Sequence, residues 1–76
     1  MEIEKTILEI FKNISGKDDI TADMDITEEI GLESIEILQC IGLIEKEYNV
    51  KISSRELRNV FTIEEMAKLV EEKSGK

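Results

Sequence analysis

Apolar residues recur along this chain at helical spacing, and no stretch sustains the two-residue alternation of a strand. Ile3, Ile7, Ile10, Phe11 and Ile14 form one stripe, with Glu2, Glu4, Lys5, Glu9, Lys12 and Asn13 off it. Ser15-Gly16-Lys17 closes that first helix, Gly16 being a natural left-handed C-terminal position. A second helix is expected from about Ser34 to Tyr48, with Ile37, Cys40, Ile41, Ile44 and Tyr48 as its core stripe. Ser53-Ser54-Arg55-Glu56 has the form of a capping box and starts a short third helix, which brings Leu57, Val60 and Phe61 to the core. Thr62-Ile63-Glu64-Glu65 is a second such box. It opens a last helix with Ile63, Met66, Ala67, Leu69 and Val70 on one side, and its polar tail from about residue 71 to 76 is expected to fray. Residues 18–33 read as a long connection whose Ile20, Met24, Ile26, Ile30 and Leu32 pin it to the core. The expected fold is all-α: one small four-helix bundle domain over residues 1–76, with a long first loop and a short third helix.

Composition narrows the chemistry. Ten basic and eighteen acidic residues give a net charge of −8, with no histidine, proline or tryptophan and one cysteine. Without histidine, neither Ser-His-Asp nor Cys-His catalysis can be assembled. One cysteine and no histidine leave little to hold zinc, and Cys40 has no intramolecular disulfide partner. An acidic surface repels phosphate, which argues against nucleic acid as a partner. The opening Met1-Glu2-Ile3-Glu4-Lys5 lacks the basic and apolar regions of a targeting signal. The run from Ile35 to Ile44 is broken by Glu36 and Gln39 and falls far short of the roughly 20 residues a membrane span needs. A cytoplasmic, monomeric protein with a free thiol, not inserted in a membrane, is expected.

The charge is local. The 28 residues between Lys17 and Lys46 hold nine acids and no base, while the rest of the chain sums to +1. This stretch is either a solvated face or a docking surface that steers basic partners. It is not an EF-hand. Starting the loop at Asp23 puts Glu28 at the glycine position and Ser34 at the last ligand; starts at Asp18 or Asp25 put Ile20 or Ile30 at key positions. No metal site is therefore assigned. The second helix also carries more apolar surface than one core stripe uses, leaving Ile35 and Leu38 near its outer edge. A small bundle burying its central helix on most sides would explain this, and so would a partner-binding patch.

Ile30-Gly31-Leu32-Glu33-Ser34-Ile35-Glu36 places a serine at the start of an apolar helix, after a Gly-Leu-acid lead. By itself Ser34 is simply an N-cap. In context the chain resembles the acyl carrier protein family, including the peptidyl carrier domains, whose modification motif is commonly Gly-x-Asp-Ser-Leu. Here it is Gly31-Leu32-Glu33-Ser34-Ile35. The resemblance extends to length, acidity, helix order, the long first loop and the Tyr48-Asn49-Val50-Lys51-Ile52 turn.

That resemblance implies a protein with no catalytic residues of its own. It implies that a phosphopantetheinyl transferase, using coenzyme A and Mg²⁺, attaches 4′-phosphopantetheine to Ser34. The arm then carries acyl groups as thioesters for fatty-acid synthesis or for a specialised lipid, polyketide or natural-product pathway. It implies docking of acyl-transferring and acyl-modifying enzymes, through their basic patches, at Glu33, Ile35, Glu36, Leu38 and Glu45. It also implies an acyl pocket at Cys40, Ile44, Ile52, Leu57, Val60 and Val70. Gly42, Ser53, Arg55 and Arg58 depart from the pattern of bacterial fatty-acid carriers, which fits a dedicated carrier at least as well. The alternative is a small acidic helical protein-interaction module without a prosthetic group.

Overall fold

A computed structural model describes residues 2–75. Four α-helices follow in order: α1 (Glu2–Ser15), α2 (Ser34–Tyr48), α3 (Ser54–Leu57) and α4 (Ile63–Gly75). Among the described residues there is no strand, only an isolated bridge between Asp25 and Thr62. α1 packs against both α2 and α4. Its Ile7 and Phe11 are fully buried, while Ile3, Ile10 and Ile14 flank them, as the stripe predicts. Each such side chain contributes roughly 1.5–3 kcal/mol on burial. Cys40, Ile41 and Ile44 of α2 meet them from one side, and Ile63, Met66, Ala67 and Val70 of α4 from the other.

The long connection is ordered, and it contains an element the periodicity does not predict. Ile26–Ile30 forms one π-helical turn, here η1. Asp25 caps it: its Oδ1 accepts from the backbone N–H of Thr27 and Glu28 at 2.9 and 2.8 Å. Those donors, Glu28 first, hold the Asp25 carboxyl below its ordinary value. The turn ends at Gly31, whose φ of 82° is left-handed, and the Gly31 N–H returns to the Ile26 carbonyl at 3.1 Å. Ile20, Ile26, Ile30 and Leu32 are buried and Met24 half-buried, so the loop is pinned where the sequence suggests. Two backbone bonds fasten it to α4: Ile26 N–H to the Phe61 carbonyl at 2.8 Å, and Glu64 N–H to the Ala22 carbonyl at 3.0 Å.

One device recurs at four helix starts. A glutamate reaches back to a backbone N–H at the cap: Glu29 to Asp25, Glu36 to Glu33, Glu56 to Ser53 and Glu65 to Thr62. Both predicted capping boxes form, with Ser53 and Thr62 hydroxyls accepting from Glu56 and Glu65 N–H at 3.2 Å. Part of the chain's acidity is therefore structural.

Two expectations need correction. Phe61 is 57% exposed instead of lying in the core. Its backbone is fixed by pairing, since its N–H donates to Glu65 and its carbonyl accepts from Ile26, and its position does not depend on burying the ring. Residues 71–75, expected to fray, are helical. An ion pair of 2.9 Å between Lys73 and Glu56 ties this end of α4 to α3. The tip of the expected tail, Lys76, lies outside the described residues.

Candidate functional site

The site is built at the junction of η1 and α2. Leu32 anchors the short lead between them in the core, and Gly31 and Glu33 stay exposed. Lys17 reaches across from the end of α1, donating from Nζ to the Ile30 carbonyl at 2.6 Å and fixing the last turn of η1. Glu33 adopts an extended conformation and is the N-cap of α2, its N–H held by Glu36 Oε1 at 2.9 Å. Ser34 is therefore not the N-cap that its residue type suggests but the first helical residue. That difference matters chemically. A capping serine would have its hydroxyl turned onto backbone N–H groups. Here Ser34 is exposed, and among the described residues no hydrogen bond engages its hydroxyl.

The N–H groups of Ser34 and Ile35 likewise meet no acceptor among the described residues, as expected for the first turn of a helix. They lie at the positive end of a 15-residue helix. An exposed hydroxyl beside free N–H donors can be esterified by a phosphate without breaking any internal contact, and the helix end favours the resulting negative charge. The residues present fit a phosphodiester.

Around Ser34, Ile35 and Leu38 are 65% and 64% exposed and stand one turn apart on α2. Leu43, 46% exposed, lies further along beside Ile14 of α1. Glu33 is exposed and Glu36 half-buried. Glu45 serves the fold directly: its Oε2 accepts from the Ile52 N–H at 2.7 Å and holds the turn after α2. Among the described residues no group of three or more acids or thiols is disposed to hold a metal ion.

A cavity of about 280 Å³ opens between η1, α2 and the α3–α4 turn. Ile26 and Met66 form its buried floor, and the half-buried Ile37, Leu57 and Val60 form its walls. Thr27, Arg58 and Phe61 are exposed and make its rim. Ile37 lies three residues beyond Ser34, about 4.5 Å along the helix axis, so the cavity begins within one turn of the serine. Of the residues that the resemblance assigns to an acyl pocket, Leu57 and Val60 line this cavity. Cys40, Ile44 and Val70 are fully buried in the core, and Ile52 is half-buried against it. Burial, with the Glu36 carboxylate adding to it, pushes the Cys40 thiol up to about 11.

Sequence reasoning misses Ile26, Thr27, Ile37, Arg58, Phe61 and Met66 as cavity residues. A signal for Phe61 exists, since Phe61 and Met66 flank the Thr62 cap in the positions of a hydrophobic staple, and both line the cavity.

The family described as "Phosphopantetheine attachment site" matches residues 5–70. This chain belongs to that family. Its members bear 4′-phosphopantetheine as a covalent prosthetic group, and the chain is a carrier protein of this kind. A solved structure from Mycobacterium tuberculosis, described as an acyl carrier protein, superposes with a TM-score of 0.78 at 27% sequence identity. The match covers 87% of this chain and 90% of that one. Membership favours the carrier over an interaction module lacking a prosthetic group. Carrier proteins of this family are generally non-catalytic and work through modifying enzymes and transferases. No helix among the described residues is long and apolar enough to cross a membrane.

Proposed function

We propose that Ser34 is the attachment point, and that the chain works as an acyl carrier protein. The observation that carries this reading is the free, exposed Ser34 hydroxyl at the first position of α2, beside unpaired N–H groups. When bound, the arm supplies a terminal thiol that holds an acyl group as a thioester. The chain's own residues do the rest. Glu36 fixes the helix start, the N–H groups of Ser34 and Ile35 meet the phosphodiester, and Leu32 and Lys17 keep the lead rigid.

Ile35 and Leu38, with Glu33 and Glu36 beside them, form the docking face for the phosphopantetheinyl transferase and for acyl-transferring and acyl-modifying enzymes with basic patches. Glu45 extends that face while holding the next turn. The acyl chain enters the cavity beyond Ile37, past Leu57 and Val60, and the deeper Cys40, Ile44, Ile52 and Val70 give it room by repacking. A free buried thiol supports a reducing, cytoplasmic setting. The cargo belongs to fatty-acid synthesis or to a specialised lipid, polyketide or natural-product pathway, and Arg55 on α3 with Arg58 just after it favour the specialised role.

Mass spectrometry tests the assignment. Incubation with coenzyme A, Mg²⁺ and a promiscuous phosphopantetheinyl transferase should add the mass of one phosphopantetheine to the wild type and none to Ser34→Ala. Addition that persists in Ser34→Ala would place the arm elsewhere.

A further inference from the structure

Of the hydrogen bonds that hold the lead into Ser34, the shortest comes from another helix. The peptide group joining Ile30 to Gly31 is held on both sides. Its N–H donates to the Ile26 carbonyl at 3.1 Å, and its carbonyl accepts from Lys17 Nζ at 2.6 Å. The inner bond is shared, because the same Ile26 oxygen also accepts from the Leu32 N–H at 3.2 Å. The outer bond is charge-assisted, and among the described residues Lys17 is the only donor on the Ile30 carbonyl. The ammonium lies against Gly31, where an added Cβ would meet it at 3.6 Å, and glycine is the residue with most backbone freedom to lose.

Lys17 is itself aimed. Gly16, at a left-handed φ of 73°, turns the chain at the end of α1, and its N–H returns to the Lys12 carbonyl at 2.9 Å. Ser15 Oγ then accepts from the Lys17 N–H at 3.2 Å, so that the side chain reaches a carbonyl thirteen residues on. No base lies between Lys17 and Lys46, so the acidic stretch that leads into Ser34 has no cation of its own for this bond.

We infer that the Ser15-Gly16-Lys17 end of α1 is a positioning device for Ser34: by pinning the Ile30 carbonyl it holds Gly31 in one conformation, and so presents the serine hydroxyl to the transferase in one orientation. Lys17 acts through the lead and not on the reacting atoms. Ile35 and Leu38 stay in place on α2 whether or not the pin is made, so its loss costs turnover and spares docking. The inference rests on Ser34 as the attachment point.

The test measures steady-state loading from coenzyme A by the promiscuous transferase, well below the melting temperature of every variant. Lys17→Met should lower kcat about tenfold and leave KM for the protein within about twofold. Lys17→Arg should regain most of the rate, since a guanidinium also donates to a carbonyl. Gly16→Ala keeps the lysine but strains its turn, and should show a smaller fall in kcat. Lys68→Met removes the same charge from the exposed face of α4 and should match the wild type. Amide hydrogen exchange should quicken at Gly31 and Leu32 in Lys17→Met and stay unchanged at Ile7 and Phe11. A raised KM with kcat kept, or an equal loss in Lys68→Met, would mean that Lys17 acts only by charge, and overturns the inference. Unchanged exchange at Gly31 and Leu32 overturns it too, as does faster exchange throughout the molecule, which would reduce Lys17 to a stability role. A wild type that takes no arm, or a Ser34→Ala that takes one, overturns the assignment of Ser34 and this inference with it, whereas failure in the Lys17 and Gly16 variants alone leaves that assignment intact.

Discussion

α1 and α2 lie against each other and are nearly equal in length, at 14 and 15 residues, yet they dispose of apolar side chains differently. α1 buries Ile7 and Phe11, half-buries its remaining apolar residues, and leaves no large one exposed. α2 buries Cys40, Ile41 and Ile44 but leaves Ile35, Leu38 and Leu43 in water. The fold accounts for the whole apolar pattern of α1. It accounts for only part of α2, and the unexplained part begins next to Ser34. A helix that serves only its own core looks like α1. A helix that also serves other molecules carries a surplus.

The sharpest way to break this contrast is to truncate both helices. Phe11→Ala should destabilise the protein by about 3–5 kcal/mol, enough to unfold much of a domain this small, as measured by urea denaturation. Leu38→Ala should change stability by less than about 0.5 kcal/mol, while steady-state kinetics should show slower modification of Ser34 by the transferase. If Leu38→Ala costs as much as a core truncation, the surplus belongs to the fold after all.

Gly42→Ala sharpens the comparison from the other side. Gly42 sits mid-helix and exposed, with nothing within 4 Å of an added Cβ, so alanine should stabilise α2 by about 1 kcal/mol in the same urea assay. An accompanying loss of partner activity would show that the glycine is kept for close approach.

The smallest effects are those of pH. The Ser53 N–H, and then Lys73, hold the Glu56 carboxyl below its ordinary 4.5, and Asp25 lies below its ordinary 3.8 for the capping reason given above. A depressed carboxyl contributes stability that is present above the unfolded value and lost as pH falls. Glu56→Gln should therefore flatten the fall in melting temperature below about pH 4.5 relative to wild type. Cys40 works in the opposite sense. Its folded value is raised from 9.0 to about 11, so its contribution is complete below pH 9 and is lost as pH rises towards 11, a loss that Cys40→Ala should not show.

Much of this was readable in the chain. The stripe in α1, both capping boxes and the anchors of the long loop follow from residue type and spacing, because each is a local rule or a repeated burial signal. The Gly31-Leu32-Glu33-Ser34 lead pointed to the site. Three things were not readable. η1 is five residues long, too short for periodicity to register, and its only trace is Asp25 followed four residues later by Glu29. The cap of α2 fell on Glu33 and not on Ser34 because Glu36 can hold the Glu33 N–H, a competition between neighbours that residue preference alone does not resolve. Phe61 and Arg58 reach the cavity through the α3–α4 turn, and a turn carries no period from which to read a direction.

The bridge between Asp25 and Thr62 joins positions 62 − 25 = 37 residues apart. The loop that delivers Ser34 therefore cannot close on local information alone: Ile26 needs the Phe61 carbonyl and Ala22 needs the Glu64 N–H. In kinetic terms this is a long-range closure, and such closures come late in folding. The amides of Ile26 and Glu64 should exchange with solvent as one cooperative unit, on a clock separate from that of the buried middle of α1. The segment that leads into Ser34 would then be among the last parts of the molecule to assemble.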